Sequence, residues 1–443
     1  MRGSAQGFES FGLIALTLPG SSDPAIAIAA SRAGELGVLD LQYVSDESEA
    51  LAAVNRLARY AAGHRCGIKL EAGAQGFVPH LISSLPPEIG YVILVPTAPD
   101  VLRALVQSLR EQNLMVLLET ISLEEARLGE ELGVEALIAK GHEAAGRVGE
   151  ETTFILLQRL LAHSALPVLA QGGIGLHSAA ACYEAGAAGV VLDAQLALVH
   201  ESPLPESIRA SVARMDGSET MCIGASLGEA YRLYHRPGPN ANEELRRLAS
   251  SLAEQSLSKD ELRVAWRHEI RARVGSEVDG RGALLLGQDA AFAAPLAERF
   301  RNVGGVMSGF RQEIDNHLQA ARALKPLDQN SPLASAHRTR YPLVQGPMTR
   351  VSDRASFAAE VAKAGGLPFL ALALMRAPEV RTLLAETQGL LGDQSWGVGI
   401  LGFVPLALRE EQLEIIQAYK PPFALIAGGR PDQALTLERA GIP

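Results

Sequence analysis

The sequence has few cysteines, few aromatic residues and no excess of basic residues. Its 443 residues include three cysteines, Cys66, Cys182 and Cys222, which are scattered along the chain. An odd number of widely spaced cysteines fits neither a disulfide framework nor a CxxC zinc site, so we expect a reduced, cytoplasmic setting. Aromatic residues make up only 5% of the chain, whereas glycine occurs 43 times. That composition favours closely packed α/β units over a β-sandwich.

Charge and hydropathy exclude two classes of partner. The formal net charge is −10 and no basic run is present, so the electrostatic signature of a nucleic-acid-binding protein is missing. The apolar stretch at residues 11–18 is too short to cross a membrane or to act as a signal peptide. We therefore expect no nucleic-acid partner and no membrane partner. A length of 443 residues with 47% hydrophobic residues predicts two or three domains with sizeable cores.

Eight short apolar runs alternate with amphipathic segments of helical length. Each run is continuous rather than alternating, which is typical of parallel strands buried on both faces. The runs are residues 13–18, 37–44, 67–70, 91–95, 115–118, 136–139, 167–170 and 189–192. We predict an α/β fold in which residues 10–235 form a complete (β/α)8 TIM barrel; an open doubly wound sheet is also compatible with the pattern.

An internal repeat predicts a second barrel. Ser22-Asp23 recurs as Ser352-Asp353, and Gly67-Ile68-Lys69-Leu70 matches Gly397-Val398-Gly399-Ile400 at the same offset. Residues 341–443 should therefore form strands one to four of a second, truncated barrel, and we expect the chain to be a fragment of a longer protein. Residues 240–335, which follow a turn at Pro237-Gly238-Pro239, are charged and helical and are predicted to form a helical insert or cap.

Candidate site residues cluster at the predicted carboxyl ends of the strands, where barrel enzymes place their chemistry. Gly172 and Gly173 follow strand seven, and such glycines allow backbone N–H groups to approach a phosphate. The alternative is that they only form a tight turn. Lys69, Glu119 and Lys140 end strands three, five and six, where they form either a reactive rim or an ion-pair network that closes the barrel mouth. A buried Lys69 or Lys140 could also serve as a Schiff-base amine.

The other candidate residues lie in the loop after strand six and among the histidines. The loop after strand six, residues 140–149, is rich in glycine and charge, and it contains Glu143 and Arg147. His142, His163 and His177 lack the spacing of metal ligands, so no metal is expected.

At these loops the chain resembles the nitronate monooxygenase (2-nitropropane dioxygenase-like) family, which includes FMN-dependent enoyl-ACP reductases. In that family strand one carries Gln-x-Pro-Met, strand six ends in a GxEAGGHxG-like loop, and strand seven ends in AGGI. The second repeat keeps the first of these motifs as Gln345-Gly346-Pro347-Met348, and the first repeat keeps Gly172-Gly173-Ile174. The tandem arrangement resembles a region of large type I polyketide or polyunsaturated-fatty-acid synthases.

The resemblance implies an FMN-dependent oxidoreductase, of the nitronate monooxygenase or enoyl reductase type, that acts on an acyl or polyketide chain carried by a carrier protein. Other synthase domains would be partners and NAD(P)H a possible electron donor. The implied catalytic residues are Arg147, Lys140 and Glu143. The implied cofactor-binding residues are Leu18, Lys69, Lys140, Ala145, Gly172, Gly173, Val191, Leu192, Asp193, Ala194 and Gln288.

The first repeat departs from the family motifs at several of these positions. The strand-one Gln and Met are replaced by Ala15 and Leu18, and the strand-six loop has Arg147 where the family has its histidine. Arginine stays protonated at any working pH, so Arg147 cannot abstract a proton, although it could stabilise an anion. The alternative function is therefore a catalytically degenerate first barrel that scaffolds or docks beside an active second barrel.

Overall fold

A computed structural model describes residues 10–71, 76–235, 241–274 and 282–443. The chain divides into two compact units, Met1–Leu318 and Gln319–Pro443. The predicted boundaries at 235, 240, 335 and 341 remain predictions, and the turn predicted at Pro237–Pro239 lies outside the described residues.

Unit 1 contains eleven β-strands within the described ranges. They are β1 (Gly12–Leu16), β2 (Leu36–Asp40), β3 (Cys66–Glu71), β4 (Ile89–Val95), β5 (Met115–Thr120), β6 (Ala136–Lys140), β7 (Gly146–Val148), β8 (Val168–Gln171), β9 (Gly189–Leu192), β10 (Thr220–Ile223) and β11 (Ala230–Tyr234). Eight of them form a closed parallel barrel in the order β1-β2-β3-β4-β5-β6-β8-β9, in which β9 pairs with β1. The predicted (β/α)8 barrel is confirmed, and the open sheet is excluded because the two edge strands pair with each other.

Helices connect the strands and cover the barrel. They are α1 (Ala25–Arg32), α2 (Glu47–Ala61), α3 (Val78–Ser83), α4 (Pro99–Glu111), α5 (Leu123–Leu132), α6 (Thr153–His163), α7 (Leu176–Ala185), α8 (Glu206–Val212), α9 (Ala241–Ala253), α10 (Lys259–Arg271), α11 (Ala293–Phe300) and α12 (Val303–Leu324). Local sequence sets several of their ends. The side chains of Asp46 and Ser122 accept hydrogen bonds from the first turns of α2 and α5, and Gly133 ends α5 in the left-handed conformation. No helix of the described residues is long and apolar enough to cross a membrane.

The barrel has two apolar layers. Side chains such as Ile14, Val38, Ile93 and Leu169 fill its interior. Residues on the opposite faces of the same strands pack against the surrounding helices. Because both faces of each strand are buried, the strands are continuous apolar runs in the sequence, which is why they were recognisable.

A cap lies on the barrel next to the β6 loop. Strands β10 and β11 form an antiparallel hairpin, and β11 continues the sheet onto β7. The hairpin and helices α9 and α10 share an apolar cluster that includes Tyr43, Tyr231, Trp266 and Leu285. The cap therefore brings α10 and the segment around Leu285 to the carboxyl end of the barrel strands.

Unit 2 is a parallel four-stranded sheet with its own core. Its strands pair in the order β12-β13-β14-β15, and the core lies between the sheet and its helices. Its elements are α13 (Pro332–His337), β12 (Val344–Gln345), α14 (Ala355–Lys363), β13 (Leu367–Ala371), α15 (Ala377–Leu391), β14 (Gly397–Leu401), α16 (Leu406–Tyr419), β15 (Phe423–Ala427) and α17 (Pro431–Arg439). These four βα units match the strands that the repeat predicted.

Candidate functional site at the carboxyl end of the barrel

The loops after β6, β8 and β9 meet at one end of the barrel, as predicted. Lys140 and Gln171 are partners in the pairing of β6 with β8, and the amide of Gly141 donates to the carbonyl of Gln171 at 3.0 Å. The amide of Gln288 donates to the carbonyl of Glu143 at 2.8 Å. Lys140, Gly172, Gly173 and Gln288 thus share one site, and the strand ends place them there.

A buried ion-pair network occupies the mouth of the barrel. Lys69 Nζ lies 2.9 Å from Glu119 Oε2 and 3.3 Å from Asp40 Oδ2, and Lys140 Nζ lies 3.2 Å from Glu119 Oε2. All four residues are at most 2% exposed. Each cation therefore has a protein carboxylate as its partner, which is the ion-pair network that the sequence offered as an alternative to a reactive rim.

The pKa values of these groups follow from burial and from the mutual contacts. Burial raises the pKa of Glu119, but Lys140 and Lys69 outweigh it and bring that pKa down to about 2. Burial lowers the pKa of Lys140 to about 8, against the opposing effect of Glu119. Burial also opposes charge on Lys69, yet Asp40 and Glu119 raise its pKa. Glu119 is the shared counter-ion that keeps two buried lysines in the mouth.

Arg147 is buried in a second ion-pair network. Its Nη1 and Nη2 donate to the two carboxylate oxygens of Glu125 at 2.7 and 2.9 Å, and Nη1 also lies 3.5 Å from Glu229. Arg267 joins Glu229 to Glu71. Burial opposes charge on Arg147, but Glu125 and Glu229 raise its pKa. A guanidinium engaged in this way links β7 to α5 and the cap rather than facing a ligand.

Glu143, the third predicted catalytic residue, caps a helix. Its Oε2 accepts from the amide of Thr153 at 2.9 Å and from the Thr153 hydroxyl at 3.2 Å. Thr153 is the first residue of α6, where a carboxylate is favoured by the exposed amides and the helix dipole. The Thr153 hydroxyl in turn donates to the carbonyl of Gln171 at 2.9 Å. Glu143 therefore holds the β6 and β8 loops together.

The predicted phosphate site is occupied by carboxylates of the chain itself. Gly172 and Gly173 both adopt positive φ, 105° and 63°, which glycine alone tolerates easily. The amide of Ala194 donates to Oδ1 of Asp193 at 2.6 Å, and Gln171 Nε2 donates to Oδ2 at 2.8 Å. The hydrogen-bond partners of the Asp193 carboxylate are therefore Gln171 and its own chain neighbour.

Asp289 completes this acidic end of the site. It is 1% exposed, and the amide of Gly173 lies beside its carboxylate. Burial, Asp193 and Glu143 together raise the pKa of Asp289 well above its usual range. The amides of Gly173 and Ala194, which could bind a phosphate, thus face the side chains of Asp289 and Asp193.

The Asp289→Asn variant should lose a pH dependence that the native protein shows. Because the folded-state pKa of Asp289 lies above its unfolded value of about 3.8, its contribution to stability is complete below that pH and is lost as the pH rises through the folded pKa. Asparagine carries no charge, so the variant should be more stable than the native protein at pH 8 by about 1–3 kcal/mol and equal or less stable at pH 4. Urea unfolding at both pH values measures this. Equal shifts at pH 4 and pH 8 would contradict a raised pKa.

Side chains of the β2 loop, the cap and β6 pack close to Gly146. A β-carbon added to Gly146 would lie 3.4 Å from the hydroxyl of Tyr43, 3.5 Å from Leu285 Cδ1 and 3.9 Å from Lys140 Nζ. Most of the predicted cofactor-binding residues are buried. Those that are at most 3% exposed are Leu18, Lys69, Lys140, Ala145, Val191, Leu192, Asp193 and Ala194. Gly172 is also buried, Gly173 is partly exposed and Gln288 is exposed.

Several residues of the site were missed in the sequence. Asp40 and Glu71 are the last residues of β2 and β3. A charged residue at the carboxyl end of a buried strand is a signal that the sequence contains. Glu125, Glu229 and Arg267 come from α5, the hairpin and α10, and no local pattern marks them as partners of a barrel loop.

Three comparisons with known proteins bear on this site. The family model described as nitronate monooxygenase matches residues 67–277. The match runs from β3 through β11 and includes helices α9 and α10. A Rhodococcus jostii (strain RHA1) protein, named as a 5-hydroxy-7a-methyl-1-oxo-octahydro-1H-indene-4-carboxyl-CoA dehydrogenase, is 31% identical over 147 residues, which are 32% of this chain and 40% of that protein. The chain thus spans less than half the length of that relative.

Two solved structures share the fold of the nitronate monooxygenase-like region. FabK from Thermotoga maritima superimposes with a TM-score of 0.58 at 21% identity and covers 70% of this chain and 94% of its own. The enoyl reductase domain of MlnA, from the macrolactin biosynthesis cluster of Bacillus amyloliquefaciens, has a TM-score of 0.57 at 12% identity and covers 72% and 97%. At these identities the likeness establishes the fold.

The described residues at the phosphate end of the first barrel are rich in acidic side chains. They include Glu143, Asp193 and Asp289, and the amide of Ala194 is occupied by a protein carboxylate. These contacts disfavour a flavin phosphate at this end of the first barrel.

Proposed function

We propose that the chain is part of an FMN-dependent oxidoreductase of the nitronate monooxygenase or enoyl reductase type, with its redox site at the strand ends of unit 2. The first barrel is, in this proposal, a catalytically degenerate copy that serves as a scaffold. The flavin would supply hydride transfer. The residues of this chain would bind and orient it.

The observation that carries the proposal is the free amide oxygen of Gln345. Gln345 ends β12 within the Gln345-Gly346-Pro347-Met348 motif. Its Oε1 is shielded from solvent and has no hydrogen-bond partner among the described residues. An acceptor in that state costs free energy unless a ligand supplies a donor. The backbone of β12 pairs with β13, so the Gln345 side chain is not required for that strand pairing.

The surroundings of Gln345 support a ligand at this position. Met348 is 45% exposed, whereas its counterpart in the first barrel, Leu18, is 2% exposed. Gly399 occupies the position that corresponds to Lys69 in the repeat, and a β-carbon there would lie 2.3 Å from Pro347 Cβ. Unit 2 thus has a glycine where the first barrel has a buried, paired lysine.

The substrate and partners are proposed from the resemblance and the relatives. Two relatives carry names that mention a CoA-linked carboxylate and an enoyl reductase domain of a biosynthetic cluster. We propose an enoyl or related acyl chain on a carrier protein as the substrate, other synthase domains as partners, and NAD(P)H as the electron donor. The Schiff-base alternative is not supported, since Lys69 and Lys140 are both paired with carboxylates below the cap.

An activity assay on the protein at its natural length tests the location of the site. Reduction of a crotonyl thioester by NADPH with added FMN should fall at least about tenfold in Gln345→Ala, because an orienting hydrogen bond is lost. The matched change in the first barrel, Gly173→Ala, strains a position with a φ of 63° but places its β-carbon no closer than 3.8 Å to Glu143, so it should keep most of the activity if circular dichroism shows that the variant is folded. Loss of activity in Gly173→Ala with full activity in Gln345→Ala would place the redox site in the first barrel.

A further inference from the structure

A cysteine of the β10–β11 hairpin contacts a histidine of the β6–β7 loop. Cys222 Sγ lies 3.7 Å from His142 Nε2. Cys222 is partly exposed, whereas Cys66 and Cys182 are buried. A thiol within reach of an imidazole is the arrangement from which nucleophilic cysteines react.

The structure holds His142 in the tautomer that can accept the thiol proton. His142 Nδ1 lies 2.7 Å from the carbonyl oxygen of Gly149. Because a carbonyl oxygen can only accept, Nδ1 carries the hydrogen of the neutral ring, and the lone pair on Nε2 faces Cys222. The Gly149 carbonyl therefore orients the base, which is the part played by the third member of a catalytic triad.

Arg232 fixes the pair and adds positive charge. It is the cross-strand neighbour of Cys222, and its Nε donates to the carbonyl of His142 at 2.7 Å while Nη1 donates to the Thr220 hydroxyl at 2.9 Å. Burial raises the pKa of the Cys222 thiol, and Arg232 acts in the opposite direction. The resting sulfur is thus a thiol, and a base must remove its proton during an attack.

A second cation lies beside the same strand. Arg246 is exposed on α9, and its Nη2 lies 3.6 Å from the sulfur of Met221, the residue before Cys222. The guanidinium groups of Arg232 and Arg246 favour an anionic reagent over a cationic one near the thiol.

We propose that Cys222 is a thiol-exchange site at which small anionic disulfides, such as oxidised glutathione, modify this protein. The Cys222 sulfur attacks one sulfur of the disulfide while His142 Nε2 takes the thiol proton. A new S–S bond joins Cys222 to one half of the reagent, and the S–S bond of the reagent breaks. The other half leaves as a thiolate and receives the proton from His142, so the disulfide is the sole oxidant.

The test follows the mass of the native full chain during incubation with oxidised glutathione, with peptide mapping of the product. We expect one glutathionyl group per chain, located at Cys222, and none in Cys222→Ser. His142→Ala should react at least about tenfold more slowly, and added imidazole should restore part of the rate. The control is His163→Ala, because that exposed histidine on α6 also bonds a backbone carbonyl but has no thiol neighbour.

Two further measurements separate a base from a structural contact. His142→Gln keeps a polar side chain that cannot take a proton, so it should be as slow as His142→Ala if the variant remains folded by circular dichroism. Cystamine, a cationic disulfide, should react more slowly than oxidised glutathione in the native chain. Native rates in His142→Gln, or modification of Cys66 or Cys182 before Cys222, would overturn the proposal.

Discussion

A Glu119→Gln substitution should lower the free energy of unfolding of unit 1 by about 3–5 kcal/mol. Glu119 is the shared partner of Lys69 and Lys140, both of which are buried below the cap. Glutamine has nearly the same shape but no charge, so two buried cations would retain one carboxylate, Asp40, between them. The loss reflects uncompensated buried charge rather than lost packing.

Fluorescence of Trp266 during urea unfolding measures this change in unit 1. The chain has two tryptophans, Trp266 in the cap and Trp396 in unit 2, so both proteins should carry Trp396→Phe. Glu206→Gln is the matched control, because its partner Arg209 lies 3.9 Å away and the Glu206 side chain is 91% exposed; we expect a change below about 0.5 kcal/mol. A Glu119→Gln variant as stable as this control would mean that the network is not a structural element of the barrel.

The Trp266→Ala variant should destabilise unit 1 by about 3–5 kcal/mol through the cap. Trp266 is fully buried, its indole N–H donates to the carbonyl of Glu229 at 3.1 Å, and its ring contacts the edge of Tyr231 at 6.4 Å between centroids. Removing the ring leaves a cavity and an unpaired carbonyl under α10. Circular dichroism during urea unfolding measures the loss.

Val264→Ala is the control for Trp266→Ala on the same helix. Val264 is 70% exposed, so its truncation should change the free energy of unfolding by less than about 0.5 kcal/mol. Similar effects for the two variants would show that α10 contributes helix propensity alone and does not close the barrel mouth.

The strand pattern made the barrel predictable, and the reason is burial. Strands covered on both faces must be apolar throughout, so runs such as residues 91–95 and 189–192 are visible without any alignment. The carboxyl-end position of Lys69, Glu119 and Lys140 followed from the strand ends in the same way. The ion-pair network was one of two alternatives at this rim: Glu119 and Lys140 end the neighbouring strands β5 and β6, whereas β4 separates Lys69 on β3 from β5.

The partners of Arg147 could not be predicted, because long-range packing sets them. Arg147 and Glu229 are 82 residues apart in the sequence, on β7 and next to β11, and nothing local to either residue indicates that β11 pairs with β7. The same holds for Tyr43 and Leu285, which come from a loop after β2 and from the cap. The resemblance to the nitronate monooxygenase family predicted which positions face the flavin. It could not show that these positions are covered in the first barrel.

Titration of FMN with the full chain, followed by flavin fluorescence, tests the central claim most directly. The account predicts that the first barrel contributes no saturable binding: any one-to-one quenching should disappear in Gln345→Ala and persist in Gly173→Ala. Stoichiometric binding that survives in folded Gln345→Ala and is lost in folded Gly173→Ala would contradict it, since the first barrel would then bind the flavin despite the acidic side chains at its phosphate end.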